Sequence, residues 1–237
     1  MKFSVIELSP ALPEIFKGGR LQVIFPVNAQ LVGLANQRDD FRQALKVGTC
    51  VVDGQILQWA VNIRAFFKGT RSYQKLSGSD LVYRISSEVA RNQGRLLLIG
   101  GSEHSNTGSV QRLKELYGGE VFGFSPEFSG YPMSREWLAR LFEVIDEVKP
   151  TAIFFGLGAP KQELLIKDIF VELESRGVSL VMAVGGSFDF VSGNIKRAPK
   201  FIQKIGMEGV YRLCQQPSRM RAERLAESFM ALRFFVK

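Results

Sequence analysis

Three apolar runs in this chain each break off in glycine: RLLLIGG (residues 95–101), TAIFFGLG (151–158) and SLVMAVGG (179–186). Short apolar runs bounded by glycine read as strands buried on both faces, and such strands belong to parallel sheets. Parallel strands need crossover segments, usually helices, and suitable patterns lie between these runs. Ser134 opens a helix reaching Val148, with Trp137, Leu138, Leu141, Val144 and Ile145 at helical spacing. Helices are also expected over 80–91, over 109–117 and from about Gln162. LQVIFPV (21–27) and TCVVDG (49–54) add two strands, the first followed by a helix over 29–35. The pattern predicts a Rossmann-like, mainly parallel α/β sheet flanked by helices. Ligands of such sheets bind outside the carboxyl ends of the strands. The loops at Gly100-Gly101, 156–162 and 185–189 are therefore expected to converge on one crevice.

Composition narrows the class. The chain has 237 residues, 46% of them hydrophobic, too many for a disordered protein. No apolar run approaches the roughly 20 residues of a spanning helix, so a transmembrane protein is not expected. Glu7 and Glu14 interrupt the N-terminal region, which argues against a secretory leader. Cys50 and Cys214 match neither a disulfide framework nor a metal spacing, which suits a reducing cytoplasm. The net charge of +8 is unevenly placed: from Lys196 onward ten basic residues face three acidic ones. The expected organisation is a core over 1–195 and a basic helical C-terminal appendage over 196–237. Such an appendage suits an anionic partner (phosphate, membrane surface or nucleic acid), or is simply a solvated helical face.

The run Gly156-Leu157-Gly158-Ala159-Pro160-Lys161-Gln162-Glu163 is the most informative. Its glycines let backbone approach a ligand, and amides near a helix start can hold phosphate oxygens. Lys161 adds a cation and Gln162 an amide able to read a base or sugar; a plain tight turn is the alternative. Lys161 occupies the third glycine position of a dinucleotide fingerprint, which disfavours an NAD-type oxidoreductase. The second run, Gly185-Gly186-Ser187-Phe188-Asp189 with Arg197-Ala198-Pro199, brings glycines and polar residues to the same rim. Asp189 could hold a ribose hydroxyl or cap the next segment, the cap being favoured. Asp53 closes a Val-Val strand before a glycine, where a catalytic carboxylate would be rigidly held, though Asp-Gly turns also occur without function. Asn28 ends the preceding strand and would share that edge. His104, beside Ser102 and Glu103, has no identifiable triad partners. No Asp-x-Asp occurs, so a diphosphate leaving group would need neutralising by Arg and Lys.

Together these strings resemble the WecG/TagA/CpsF glycosyltransferases, glycosyltransferase family 26. The resemblance runs in order through Asn28-Ala29-Gln30, Val52-Asp53-Gly54, Ser77-Gly78-Ser79-Asp80-Leu81, both glycine runs and 206–213. It implies inverting, metal-independent transfer of a sugar from a UDP-sugar to a polyprenyl-diphosphate-linked saccharide at the inner face of the membrane. No cofactor is implied, since the UDP-sugar is the donor substrate. Asp53 aligns with the family's base, and Asn28 would orient sugar or acceptor. Substrate-binding positions implied are Ser79, Asp80, Gly156, Gly158, Pro160, Lys161, Gln162, Gly185, Gly186, Ser187, Asp189 and Arg197. In the appendage Arg212 and Arg219 match the arginines that approach the diphosphate, with Arg221 and Arg224 weaker matches. Pro26 and Gln30 depart from the family's usual Thr and Glu, compatible with a different sugar, glucose in place of N-acetylmannosamine.

Leu225, Phe229, Leu232 and Val236 form an apolar stripe among the tail arginines, which suits membrane contact or packing on the core or a second subunit. A homo-oligomer is therefore left open. The competing reading, a non-catalytic nucleotide- or nucleic-acid-binding module, lacks any recognised nucleic-acid motif, so no nucleic-acid partner is expected.

Overall fold

The computed structural model describes residues 6–16, 19–215 and 217–231. Seven strands form one sheet: β1 (Leu8–Ser9), β2 (Gln22–Val27), β3 (Thr49–Val52), β4 (Arg95–Gly100), β5 (Glu120–Phe124), β6 (Ala152–Gly156) and β7 (Leu180–Ala183). Their order is β1-β3-β2-β7-β6-β4-β5 and the sheet is all parallel, the Rossmann-like α/β arrangement. The three glycine-ended runs supply β4, β6 and β7. Leu96–Ile99, Ala152–Phe155 and Leu180–Ala183 are buried throughout, as strands covered on both faces must be. Each strand ends earlier than its apolar run, and after β4 and β6 glycines turn the chain away: Gly100 and Gly158 have φ of 92° and 82°.

By contacts the chain forms two compact units. One comprises the residues up to Pro13, Pro26–Ser77 and the chain from Ile195; the other comprises Glu14–Phe25 and Gly78–Asn194.

In the first unit, the end of β2 leads into α1 (Ala29–Gln37) and α2 (Asp39–Leu45), and β3 into α3 (Gln55–Lys68). Leu57, Val61 and Ala65 are the buried positions of α3, spaced four apart. Gly69, in the left-handed region with φ of 62°, ends that helix. Three C-terminal helices complete the unit: α10 (Lys200–Lys204), α11 (Glu208–Gln215) and α12 (Arg219–Ala231). Gln30 on α1 donates to Glu227 on α12 at 2.7 Å, and a Cβ at Gly209 would lie 3.1 Å from Leu225. Leu225 thus packs towards α11. The side chain of Phe229, and Leu232 and Val236 beyond it, lie outside the described residues.

In the second unit, α4 (Gly78–Arg91) precedes β4, α5 (Glu103–Tyr117) joins β4 to β5, and α6 (Arg135–Val148) joins β5 to β6. The chain then runs through α7 (Lys161–Asp168) and α8 (Phe170–Ser175) to β7, and through a short 3₁₀ turn to α9 (Phe188–Val191). Ser134 caps α6 as expected, accepting from the Trp137 N–H, and Trp137, Leu141 and Ile145 are buried. Helix α5 starts at Glu103, six residues before the expected 109–117 segment. Ser102 is the reason: its hydroxyl accepts from the Ser105 N–H and caps the helix directly after Gly101. The expected small-residue loop is therefore only a turn. Among the described residues no helix is long and apolar enough to cross a membrane.

Candidate functional site

Within the second unit, strand order reverses at β4, which pairs with β5 on one side and β6 on the other. Loops leaving β4 and β6 consequently diverge, and such switch points are where open α/β sheets bind ligands. Gly100 and Gly156 are register partners there. A cavity of about 320 Å³ opens at this point, a size suited to a small ligand. Gly100, Gly101, Ser102, Gly156, Leu157 and Lys161 line one part of it. Pro126, Glu127, Phe128, Ser129, Met133 and Trp137 line the rest.

The glycines are there for space. A Cβ at Gly100 would fall 2.7 Å from Leu157 and 3.0 Å from Gly156 backbone; one at Gly156 would fall 2.6 Å from the Phe188 ring. The Gly101 N–H also donates to the Gly156 carbonyl at 3.1 Å. These loops pack on one another.

Lys161 opens α7 and reaches the cavity. Its Nζ donates to the Ser129 carbonyl at 2.8 Å and lies 4.3 Å from the centre of the Phe128 ring, a cation–π contact. Burial holds the ammonium below the usual lysine range. It has two further N–H donors, so an anionic ligand would both be bound and restore the favoured charge.

Gln162, its neighbour, is turned inward. Only 3% exposed, it accepts through Oε1 from the Gly158 N–H at 3.1 Å and the Gly185 N–H at 3.2 Å. Its Nε2 donates to buried Glu163 at 2.8 Å. One side chain therefore fastens the loop after β6 to the loop after β7. Pro160 precedes α7 after a cis Ala159–Pro160 peptide, and Gly186 is exposed at the turn. The Ser187 hydroxyl donates to the Val184 carbonyl at 2.7 Å.

Asp189 is not the N-cap residue of α9, a position held by Ser187. It lies in the first turn of α9 and accepts from the Ser105 hydroxyl at 2.7 Å. Ser105 Oγ in turn accepts from Ser102 Oγ at 2.9 Å and Asn194 Nδ2 at 3.0 Å. This hydroxyl cluster fixes the start of α5, whose N-terminal turn borders the cavity. Ser79 and Asp80 open α4, the first buried and the second exposed. His104 is exposed on α5.

The first unit holds the remaining expected residues. Asn28 and Asp53 follow neighbouring strands, and the Asp53 N–H donates to the Val27 carbonyl at 2.8 Å. That bond ties the backbone of the two strand ends together. Asn28 Oδ1 also caps α1 by accepting from the Leu31 N–H at 3.0 Å. Gly54 follows Asp53 with φ 89° and ψ 144°, a backbone that requires glycine, and α3 begins one residue later. Asp53 is half-buried at that helix start.

Arg197 and Arg212 are both half-buried in this unit. A two-bond clamp supports them: Lys196 N–H donates to Gln215 Oε1 at 3.2 Å, and Gln215 Nε2 to the Lys196 carbonyl at 2.8 Å. Arg219 is exposed at the start of α12 and donates to Glu223 at 2.8 Å, an ion pair of small energetic weight. The side chains of Arg221 and Arg224 lie outside the described residues.

Nothing in the sequence singles out Phe128, Ser129 or Ser105. Phe128, 94% exposed within a Gly- and Pro-containing loop, carries a signal only once Lys161 is seen beneath it.

Parallel strands ending in tight glycine loops around a switch-point cavity form the kind of crevice in which open α/β sheets bind ligands. The sequence model of the Glycosyl transferase WecG/TagA/CpsF family matches residues 1–237, the whole chain. The protein belongs to that family: it is a glycosyltransferase, with a role in polysaccharide synthesis.

Proposed function

We propose that the protein transfers a sugar, of glucose or N-acetylmannosamine type, from a UDP-sugar to a polyprenyl-diphosphate-linked saccharide with inversion of configuration. The product would serve bacterial exopolysaccharide or cell-surface polysaccharide synthesis. Family membership supports glycosyl transfer; the observation that carries the chemistry is Asp53, held beside Asn28 by its backbone bond to Val27. Single-step inversion needs one base to deprotonate the acceptor hydroxyl as it attacks the anomeric carbon. Asp53 is that base in this reading. It takes the hydroxyl proton while the new glycosidic bond forms and the bond to UDP breaks. Asn28, whose Oδ1 is engaged in the helix cap, offers Nδ2 to orient sugar or acceptor.

In the second unit, Lys161 and the N-terminal turn of α5 suit a diphosphate. Arg197, Arg212 and Arg219 are the cations assigned to the leaving group and lipid diphosphate, so transfer proceeds without a metal. Action at the cytoplasmic face of the inner membrane, with the basic 196–237 segment towards it, follows from a lipid-linked acceptor.

The test is UDP release from a panel of UDP-sugars with polyprenyl-diphosphate saccharides in the presence of EDTA. Turnover is expected with one donor, to survive EDTA, and to be lost in Asp53→Asn. Undiminished Asp53→Asn turnover would remove the base assignment, and loss in EDTA the metal-free one.

A further inference from the structure

Helix α3 is apolar on more than its buried side. Opposite Leu57, Val61 and Ala65 it leaves Trp59, Ile63, Phe66 and Phe67 exposed, Phe66 and Phe67 by 82% and 81%. These four positions follow helical spacing, and with Asn62 they line a shallow groove. The rings of Phe66 and Phe67 meet edge to face, 5.7 Å between centres, and otherwise stand in solvent. So much contiguous aromatic surface marks a contact site.

A second piece of the same unit extends it. A Cβ on Gly206 would fall 3.0 Å from Ile56, so the chain leaving α10 abuts the first turn of α3. Ile205, next to Gly206, is 44% exposed, and Phe201 on α10 is 71% exposed.

Charge identifies the occupant. Between Asp53 and Asp80 the sequence contains no acidic residue, but Arg64, Lys68, Arg71 and Lys75. Residues 195–207 likewise contain none, and Lys200 and Lys204 flank Phe201. Large apolar side chains interleaved with cations alone describe an interfacial face: the rings enter the acyl boundary while the cations meet anionic headgroups. A self-complementary protein interface would bring these cations against one another.

We propose that the α3–α10 face docks on an anionic lipid bilayer, with Trp59, Ile63, Phe66 and Phe67 inserted below the headgroups. The C-terminal arginines are not the whole membrane contact; α3, directly after Asp53-Gly54, is its apolar part. The inference rests on exposure and charge, and takes its purpose from the lipid-linked acceptor proposed above.

Trp59 reports on it directly, because the other tryptophan, Trp137, is buried. The intact protein is mixed with phosphatidylcholine vesicles with or without phosphatidylglycerol. With anionic vesicles the protein is expected to co-sediment, with Trp59 emission shifting to the blue and quenched by brominated acyl chains. Trp59→Phe removes that signal. Phe66→Ser/Phe67→Ser, an exposed pair whose loss leaves the fold intact by circular dichroism, is expected to weaken partitioning by ~tenfold or more. Undiminished binding by this variant, or co-sedimentation with Trp59 unshifted, would overturn the proposal. So would lipid-independent dimers in light scattering that the variant abolishes, since the occupant would then be a second copy. Transfer to a water-soluble acceptor separates this from the proposed function: the variant is expected to match wild type. Absent turnover in both would count against the proposed function and leave the vesicle result standing.

Discussion

Gln162→Leu discriminates between a residue that reads the donor and one that builds the site. Leucine nearly preserves volume, so no large cavity accompanies the change. What is lost is an acceptor shared by the Gly158 and Gly185 amides, at 3.1 and 3.2 Å, and a donor to Glu163 at 2.8 Å. Two bonds to backbone amides contribute about 1 kcal/mol each, and the bond to a buried carboxyl about 1–2 kcal/mol. The expected destabilisation is therefore roughly 3–4 kcal/mol, a large fraction of the 5–15 kcal/mol that holds a typical domain together. For a chain of this size about 2–4 °C of Tm accompanies each kcal/mol, so a fall of roughly 6–16 °C is expected. Circular dichroism and scanning calorimetry measure it, with UDP binding followed below the lowered transition. Gln162→Glu, which keeps the acceptors but sets a carboxylate against Glu163, should recover only part of the loss. A Gln162→Leu protein with wild-type Tm and selectively weakened donor binding would refute the reasoning and return Gln162 to direct contact with the nucleotide-sugar.

Gly156→Ala drives a methyl group to 2.6 Å from Phe188 and is expected to cost about 1–3 kcal/mol in chemical denaturation. Phe188→Leu in the same chain should relieve part of that cost, and strict additivity would refute the contact. Asn28→Ala removes the α1 cap and should cost about 1 kcal/mol, whereas Asn28→Asp keeps it; normal turnover in Asn28→Asp would exclude a role for Nδ2. Because burial lowers the Lys161 ammonium, a bound diphosphate should raise it and draw in a proton. UDP affinity should then fall as pH rises through the lowered lysine value, and Lys161→Met should flatten that dependence in titration calorimetry. Identical profiles for wild type and Lys161→Met would show that Lys161 does not meet the diphosphate.

The sheet was legible because its information is local. A strand buried on both faces must be continuously apolar, and each of the three such strands here, β4, β6 and β7, is followed at once by a glycine turn or, for β7, by Val184 and then Gly185-Gly186. Asn28 and Asp53 were legible for the same reason, being the first polar residues after their strands. The helix ends were less so: α5 begins at Glu103 because one hydroxyl, Ser102, meets one amide. Phe128 and Ser105, four and five residues beyond the ends of β5 and β4, escaped altogether.

Adjacent polar residues show the limit most sharply. Lys161 and Gln162 look equally fit to touch a ligand in the sequence, yet one lines the cavity and the other is 3% exposed. Successive residues on a helix point about 100° apart, so where α7 begins decides which of the two faces outward. The buried partner is not idle. Released from Gln162, the Gly158 and Gly185 amides would free two loops that already pack closely, a Cβ on Gly156 falling 3.1 Å from the Gly185 carbonyl oxygen. Asn28 follows the same logic, one oxygen spent on a helix cap while its amide nitrogen is assigned to the substrate. At the ends of these strands one side chain therefore does structural work while its neighbour, or its own other end, is left for the ligand proposed above. Substitutions there should separate by Tm before they separate by rate.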